Sequence, residues 1–171
     1  MIFPDTLFEK AKLVRYLLTD IDGVLTNGVI LISESGEEMV GFSIYDGLGL
    51  SLLREAKIPV GWISGRRSKA VIKRATDLGI GDCYLGITNK IETYDKILAQ
   101  HRLKDEDVAY IGDDLIDLPV LKRVGLAISV PNAVDAVKSE VDWVTQRRGG
   151  EGAVREVIDL ILLAQGKQKN G

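Results

Sequence analysis

The sequence predicts an α/β fold: a Rossmann-like parallel sheet with helices on both faces and a β-hairpin inserted after the first strand. Two observations carry this expectation. From Asp46 onward, short apolar runs alternate with segments of helical period, the pattern of right-handed crossovers in a parallel sheet. Before that point, a first apolar run at 14–18 is followed by two β-prone runs joined by the turn cluster Glu34-Ser35-Gly36-Glu37.

Residues 4–12 read as a short helix, with Pro4 near its start and Phe3, Leu7 and Phe8 as its apolar contacts. The first strand then runs into Asp20-Ile21-Asp22-Gly23, where the glycine stops it. Residues 28–33 and 38–43 are the arms of the hairpin. The first arm is apolar on both sides, unlike a solvated hairpin, so it is expected to pack against another surface, a second copy of the chain being the natural one. A helix follows at 48–55, with Leu48, Leu52 and Leu53 on one face, then a strand at 58–63 with Pro59 at its start. Gly79 closes the next helix, 68–78, and a short strand occupies 83–85. The helix at 90–101 turns Ile91, Tyr94, Ile97 and Leu98 inward. Then come a strand at 108–111, a helix at 115–124 stopped by Gly125, a strand at 126–130, a helix at 133–139 and a strand at 141–145. The last helix, 152–165, buries Val154, Val157, Ile158, Ile161 and Leu162, and residues 166–171 form a flexible tail. No linker or repeat divides the chain, so 1–171 reads as one domain.

A net charge of −3 argues against nucleic acid or an anionic membrane surface as partner. No run reaches transmembrane length. The N-terminus carries Asp5 and Glu9 and lacks the basic-then-apolar order of an export signal. Cys83 is the single cysteine, so no internal disulfide forms, and the expected location is the cytoplasm. Beside Tyr84 and Leu85, it reads as a buried inert thiol.

In open parallel sheets, ligands bind outside the carboxyl ends of the strands. The first strand ends on two carboxylates flanking Ile21; two solvated acids would have the same sequence, whereas a crowded pair needs a cation or a shared proton. The second ends in Ser64-Gly65-Arg66-Arg67, either an anion site or a helix N-cap provided by Ser64 or Ser68. The third is followed by Lys90 at a helix start, where the dipole disfavours a cation unless an anion compensates it; a solvated lysine is the plainer account. The fourth ends in Gly112-Asp113-Asp114-Leu115-Ile116-Asp117, three carboxylates of which a helix cap explains one. Together these ends offer oxygen ligands for Mg²⁺, a carboxylate nucleophile, an acid/base and cations for a phosphoryl group.

In that order and placement, the motifs resemble those of the haloacid dehalogenase-like phosphatase superfamily, and the likeness spans nearly the whole chain. The resemblance implies Asp20 as nucleophile, Asp22 as general acid/base, and Ser64 and Lys90 as phosphoryl-binding groups. It implies Mg²⁺ held by Asp20, the backbone carbonyl of Asp22, and Asp113, with Asp114 and Asp117 as further ligands or supports. Only the short hairpin follows the first motif, so the chain is similar to the capless subclass, and most of all to the 3-deoxy-D-manno-octulosonate 8-phosphate phosphatases. Asp20 to Gly28, Phe42 to Gly49, Ile63 to Arg66, Gly112 to Pro119 and Gly149 to Glu156 carry this likeness. It implies a phosphorylated sugar acid as substrate, in lipopolysaccharide precursor synthesis, and a homotetramer built around the hairpins.

By the same resemblance the substrate contacts are Asp22, Asp46, Gly47, Gly65, Arg66, Arg74 and Lys90. Arginine suits the carboxylate of a sugar acid. Without the resemblance, Arg74 beside Lys73 would read as a solvated helix face. Arg66 separates this chain from the related phosphatases of nonulosonate 9-phosphates, which tend to be acidic there. The chain departs from the family at Ser43-Ile44-Tyr45, where Asn-Val-Arg is frequent, at Ser51, where a basic residue is common, and at Asn27, where aspartate is usual. The alternatives are a nonulosonate phosphatase and, in another class, a receiver-like signalling domain, against which Asp22 and the hairpin speak. His101 reads as a residue of a helix end, and Arg147-Arg148-Gly149-Gly150 either as a plain loop or as a mobile cover over the substrate.

Overall fold

Strand β1 (Tyr16–Thr19) is buried along its whole length and lies near the middle of a six-stranded parallel sheet. The structure, a computed structural model, describes residues 4–168. Phe3 and positions 169–171 of the expected tail lie outside the described residues. The helix α1 (Asp5–Leu13) precedes β1, and Pro4 stands at its N-cap. After β1, a separate two-stranded antiparallel ribbon forms from β2 (Leu31–Ile32) and β3 (Glu38–Met39). Then come α2 (Ile44–Glu55), β4 (Val60–Ser64), α3 (Lys69–Leu78), β5 (Asp82–Leu85), α4 (Lys90–His101) and β6 (Val108–Ile111). The chain ends with α5 (Leu118–Leu121), β7 (Leu126–Ser129), α6 (Asp135–Lys138), β8 (Trp143–Val144) and α7 (Ala153–Ala164). The strand order is β5-β4-β1-β6-β7-β8. The ends of β4 and β6 therefore flank the end of β1.

Alternation along each strand sends side chains to two cores. Leu17, Trp62, Ala109 and Ile111 face α1, α2, α3 and α7, meeting Ala11, Leu53, Val71, Val157 and Ile161. Tyr16, Leu18, Ile63 and Tyr110 face the other side and meet Tyr94 and Ile97 of α4, Val120 of α5 and Val137 of α6. The sheet is thus covered on both faces, as the alternating pattern implies. Among the described residues, no helix is long and apolar enough to cross a membrane.

The helix expected at 133–139 is Asp135–Lys138 and the strand expected at 141–145 is Trp143–Val144, and smaller shifts occur at other ends. Larger departures lie in the ribbon, at the start of α2 and in the helix expected at 115–124. The ribbon strands are shorter than the arms 28–33 and 38–43, and Ser43 lies beyond the end of β3. Its hydroxyl instead accepts hydrogen bonds from the N–H groups of Tyr45 and Asp46, capping α2 four residues ahead of the expected start at 48. With that start, Leu50 and Leu53 face the core and Leu48 is exposed. The expected helix 115–124 is broken: residues Leu115–Asp117 form a 3₁₀ turn and α5 begins at Leu118 with Pro119 in its first turn. Pro119 has no N–H to continue a helix from 115, and the Asp117 carboxylate draws the N–H groups of Asp113 and Asp114 towards itself.

Because Ser43 satisfies two otherwise orphaned donors, Ser43→Ala should lower stability by about 1 kcal/mol. Urea denaturation followed by circular dichroism checks this. An unchanged midpoint would place the start of α2 nearer Leu48.

Candidate active site

The centre is a buried ammonium between two buried carboxylates. Lys90, the first residue of α4, donates to Asp20 Oδ1 at 2.5 Å and to Asp117 Oδ1 at 2.6 Å. Its third contact is the Tyr110 hydroxyl at 3.4 Å. Asp20 follows β1 directly, and its N–H donates to the Ile111 carbonyl of β6, which extends the ladder by one residue. Burial pushes the Asp20 carboxyl up to about 6, against the opposing pull of Lys90. Burial alone would lower the Lys90 ammonium, but Asp20 and Asp117 outweigh it and its pKa lies above the ordinary lysine value.

Asp117 is fully engaged. Its Oδ1 accepts from Lys90 and the Tyr110 hydroxyl, and its Oδ2 from the N–H groups of Asp113 and Asp114. A carboxylate has about four acceptor sites, so Asp117 orients its neighbours and has little left for a metal. Asp114 accepts from the N–H of Leu115 and caps the 3₁₀ turn, which is the plain account for one acid of the three. Asp113 is different. Burial, then Asp20 and Asp117, push its carboxyl up to about 8. It also fills the space beside Gly23, whose φ is +92°; a Cβ there would stand 2.0 Å from Asp113 Oδ2. Gly23 is thus required both by its backbone and by the carboxylate next to it.

Asp22 turns the other way. Its Oδ2 accepts from the Ser64 hydroxyl at 3.2 Å and from Arg66 Nε at 3.1 Å, while Oδ1 meets no donor among the described residues. Ser64 ends β4 and also accepts from the N–H of Arg66 at 3.0 Å. Arg66 Nη2 reaches Glu38 of β3 at 3.0 Å, so the hairpin touches the site through one carboxylate. Gly65 lies exposed between Ser64 and Arg66.

The donor set fits a hard divalent cation. Carboxylate oxygens of Asp20, Asp113 and Asp117 all lie within 4.8 Å of one another. Three carboxylates against one ammonium leave two negative charges when all are ionised. The carbonyl of Asp22 accepts no hydrogen bond among the described residues, unlike those of Ile21 and Gly23 beside it. Oxygen donors of this kind suit Mg²⁺. With Asp117 engaged, Asp20, Asp113 and the Asp22 carbonyl are the groups able to hold the ion.

The remaining sequence candidates form a second group. Asp46 is buried, and its Oδ1 accepts from the N–H of Arg155 at 2.7 Å, capping α7 from α2. Burial pushes its carboxyl up to about 6, offset in part by the N–H groups of Arg155 and Gly152. The Arg74 guanidinium sits against Gly47 and over the Phe42 ring at 5.9 Å. Asp46 Oδ2 and Arg74 Nε are buried without a partner among the described residues. No hydrogen bond or ion pair joins Asp46, Gly47 or Arg74 to Asp20 or Asp22 among those residues.

Sequence reasoning passed over Tyr110, Asn132 and Glu38. Strand alternation puts Tyr110 on the face of Leu18, which is a usable signal; Asn132 and Glu38 gave none. Asn132 receives the N–H of Gly149 and donates to the Gly23 carbonyl, both at 2.8 Å. It locks the 147–152 segment against the first motif. A Cβ on Gly149 would stand 1.7 Å from the Gly23 carbonyl oxygen. This backbone packing supports the Asp20 loop, and it argues against a mobile cover at Gly149 and Gly150.

Burial pushes the carboxyls of Asp20 and Asp113 up, to about 6 and about 8, so protons compete with a metal for them. Mg²⁺ affinity should therefore tighten as the pH rises across that window and level off above it. Isothermal titration of Mg²⁺ across the window checks this; an affinity independent of pH would contradict the assigned ligands.

Comparison with known proteins gives concordant relatives. Residues 79–158 match the haloacid dehalogenase-like hydrolase family. Over 163 residues the chain is 44% identical to the 3-deoxy-D-manno-octulosonate 8-phosphate phosphatase KdsC of Yersinia pestis, covering 95% of this chain and 87% of that protein. A crystal structure of the phosphatase from Yersinia pestis superposes with a TM-score of 0.94 at 44% identity, covering 95% of this chain and 88% of that one. The corresponding phosphatase of Moraxella catarrhalis, crystallised with a magnesium ion, a phosphate ion and a KDO molecule, superposes with a TM-score of 0.93 at 37% identity. That match covers 96% of this chain and 94% of the other.

Proposed function

Because the chain belongs to the haloacid dehalogenase-like hydrolases and, within them, to the 3-deoxy-D-manno-octulosonate 8-phosphate phosphatases, we propose that it hydrolyses 3-deoxy-D-manno-octulosonate 8-phosphate to the free sugar acid and inorganic phosphate. The observation that carries this reading is the meeting of Asp20, Asp113 and Lys90 at the end of β1, with Asp22 and Arg66 beside them. Arg66 also favours an octulosonate over a nonulosonate substrate.

The Asp20 carboxylate attacks phosphorus; the bond from phosphorus to the sugar oxygen breaks as the aspartyl-phosphate forms. Asp22 gives its proton to the departing alcohol. It then takes one from the water that attacks the aspartyl-phosphate, which frees phosphate and restores Asp20. Ser64 and Arg66 hold Asp22 Oδ2, so Oδ1 is the oxygen placed for proton transfer. Lys90 and the Ser64 hydroxyl offset charge on the phosphoryl oxygens. Mg²⁺ held by Asp20, Asp113 and the Asp22 carbonyl would add a divalent charge beside those same oxygens. Arg66, presented beside Gly65, takes the sugar carboxylate, with Asp46, Gly47 and Arg74 as further contacts towards the sugar.

Asp20→Asn keeps the shape and removes the nucleophile. It should lower Mg²⁺-dependent phosphate release from the octulosonate phosphate by at least about a thousandfold with an unchanged circular dichroism spectrum. Full turnover in that variant would overturn the nucleophile assignment.

The assembly we propose is a homotetramer built on the hairpin. Leu31, Ile32 and Met39 of the ribbon are exposed, as are Val29, Ile44, Tyr45 and Leu48 around it. A contiguous apolar surface of this kind favours burial against a second copy. Light scattering should give four times the chain mass of 18.7 kDa, and Ile32→Glu should lower it; a monomeric parent protein would refute the assembly.

A further inference from the structure

We propose that Glu38 is a positioning residue that keeps Arg66 from closing on Asp22. This rests on the assignment of Asp22 as the acid/base.

A guanidinium presents Nε–H and one Nη–H along one edge, in a fork that matches the two oxygens of a carboxylate. Left alone, an arginine beside an aspartate pairs through both donors. Here that edge is split. Arg66 Nε donates to Asp22 Oδ2 at 3.1 Å, and Nη2 is drawn instead to Glu38 Oε1 at 3.0 Å. Asp22 therefore receives one Arg66 donor, with Ser64 on the same oxygen, and Oδ1 stays clear of the guanidinium. No acceptor among the described residues meets Nη1, so the outer end of Arg66 faces an incoming anion.

Glu38 is itself held. Ser68, fixed as the N-cap of α3 through the N–H of Val71, lies close enough to favour its charged form. Ser68 and Arg66 together hold the Glu38 carboxyl below its ordinary value. Glu38 opens β3 and pairs across the ribbon with Ile32. The carboxylate thus comes from a hairpin that is separate from the main sheet and faces the helix that follows the second motif. A surface ion pair with no task would not need the divided fork.

Removing Glu38 lets the fork close on Asp22, so that both carboxylate oxygens are occupied and proton transfer slows. Glu38→Ala should lower kcat about tenfold, both on the octulosonate phosphate and on a hexose 6-phosphate that lacks the carboxylate. Glu38→Gln, whose amide oxygen can still accept from Nη2, should recover most of that loss. The decisive variant is Glu38→Ala combined with Arg66→Ala. With no guanidinium to close on Asp22, its kcat on the hexose phosphate should exceed that of Glu38→Ala alone. A purely structural role in seating the hairpin would give no such recovery, and a double variant no faster than the single one overturns the proposal. A crystal structure of Glu38→Ala gives a readout that needs no turnover: Arg66 Nε and Nη2 should both lie on Asp22, and an Arg66 that keeps its single contact contradicts the inference. If the parent protein releases phosphate from neither substrate, the assigned activity has failed, and the crystal structure still decides the role of Glu38.

Discussion

One buried ammonium determines which charges this fold can hold together. Lys90 sits at the first position of α4, where the helix dipole opposes it, and is almost wholly excluded from water. Only the carboxylates of Asp20 and Asp117 make that placement favourable. Lys90 in turn pulls the Asp20 carboxyl down against the larger effect of its burial. The contact joins the ends of the two central strands, β1 and β6, to the start of a helix from the other half of the sheet. Tyr110 sends its hydroxyl up from the core to the same point and is packed below by Leu18 and Tyr94. The site is therefore continuous with the core beneath it, and small shifts in strand register would be felt at Asp20.

Around that contact, neighbouring carboxylates acquire different tasks from their surroundings alone. Asp117 spends its acceptors on orientation. Asp113 is pressed against Gly23 and stays short of positive charge. Asp22 is turned towards a hydroxyl and a guanidinium. Five acids lie within one short arc of the sheet, yet backbone N–H groups and single cations sort them, so identical side chains meet different partners.

The architecture was legible from the order of apolar runs, since parallel strands buried on both faces leave few other readings. The groups proposed for the site could be singled out because most of them follow strand ends, where local sequence and position in the sheet coincide. What escaped was set by distant partners. Ser43 carries the same letters whether it closes a strand or caps a helix, and the placement of Asp46 under α7 decides the matter. The break at Pro119 depends on what the Asp117 carboxylate binds. Asn132 reaches Gly23 across 109 positions, and Glu38 reaches Arg66 across 28, so neither pairing leaves a local pattern. The exposed Leu48 follows from the same early start of α2.

The close seating of Gly149 on Gly23 bears on how the protein is made. Between Asp20 and Gly149, whose segment backs the Asp20 loop, the chain forms β4, β6, β7 and β8. Asp46 likewise waits for Arg155 before its carboxylate has a donor. During synthesis, the first two-thirds of the sheet can form while the loop bearing Asp20 still lacks its backing. Support of the Asp20 loop is thereby coupled to synthesis of residues 147–155, and a chain interrupted before them would carry the same carboxylates without the frame that holds them.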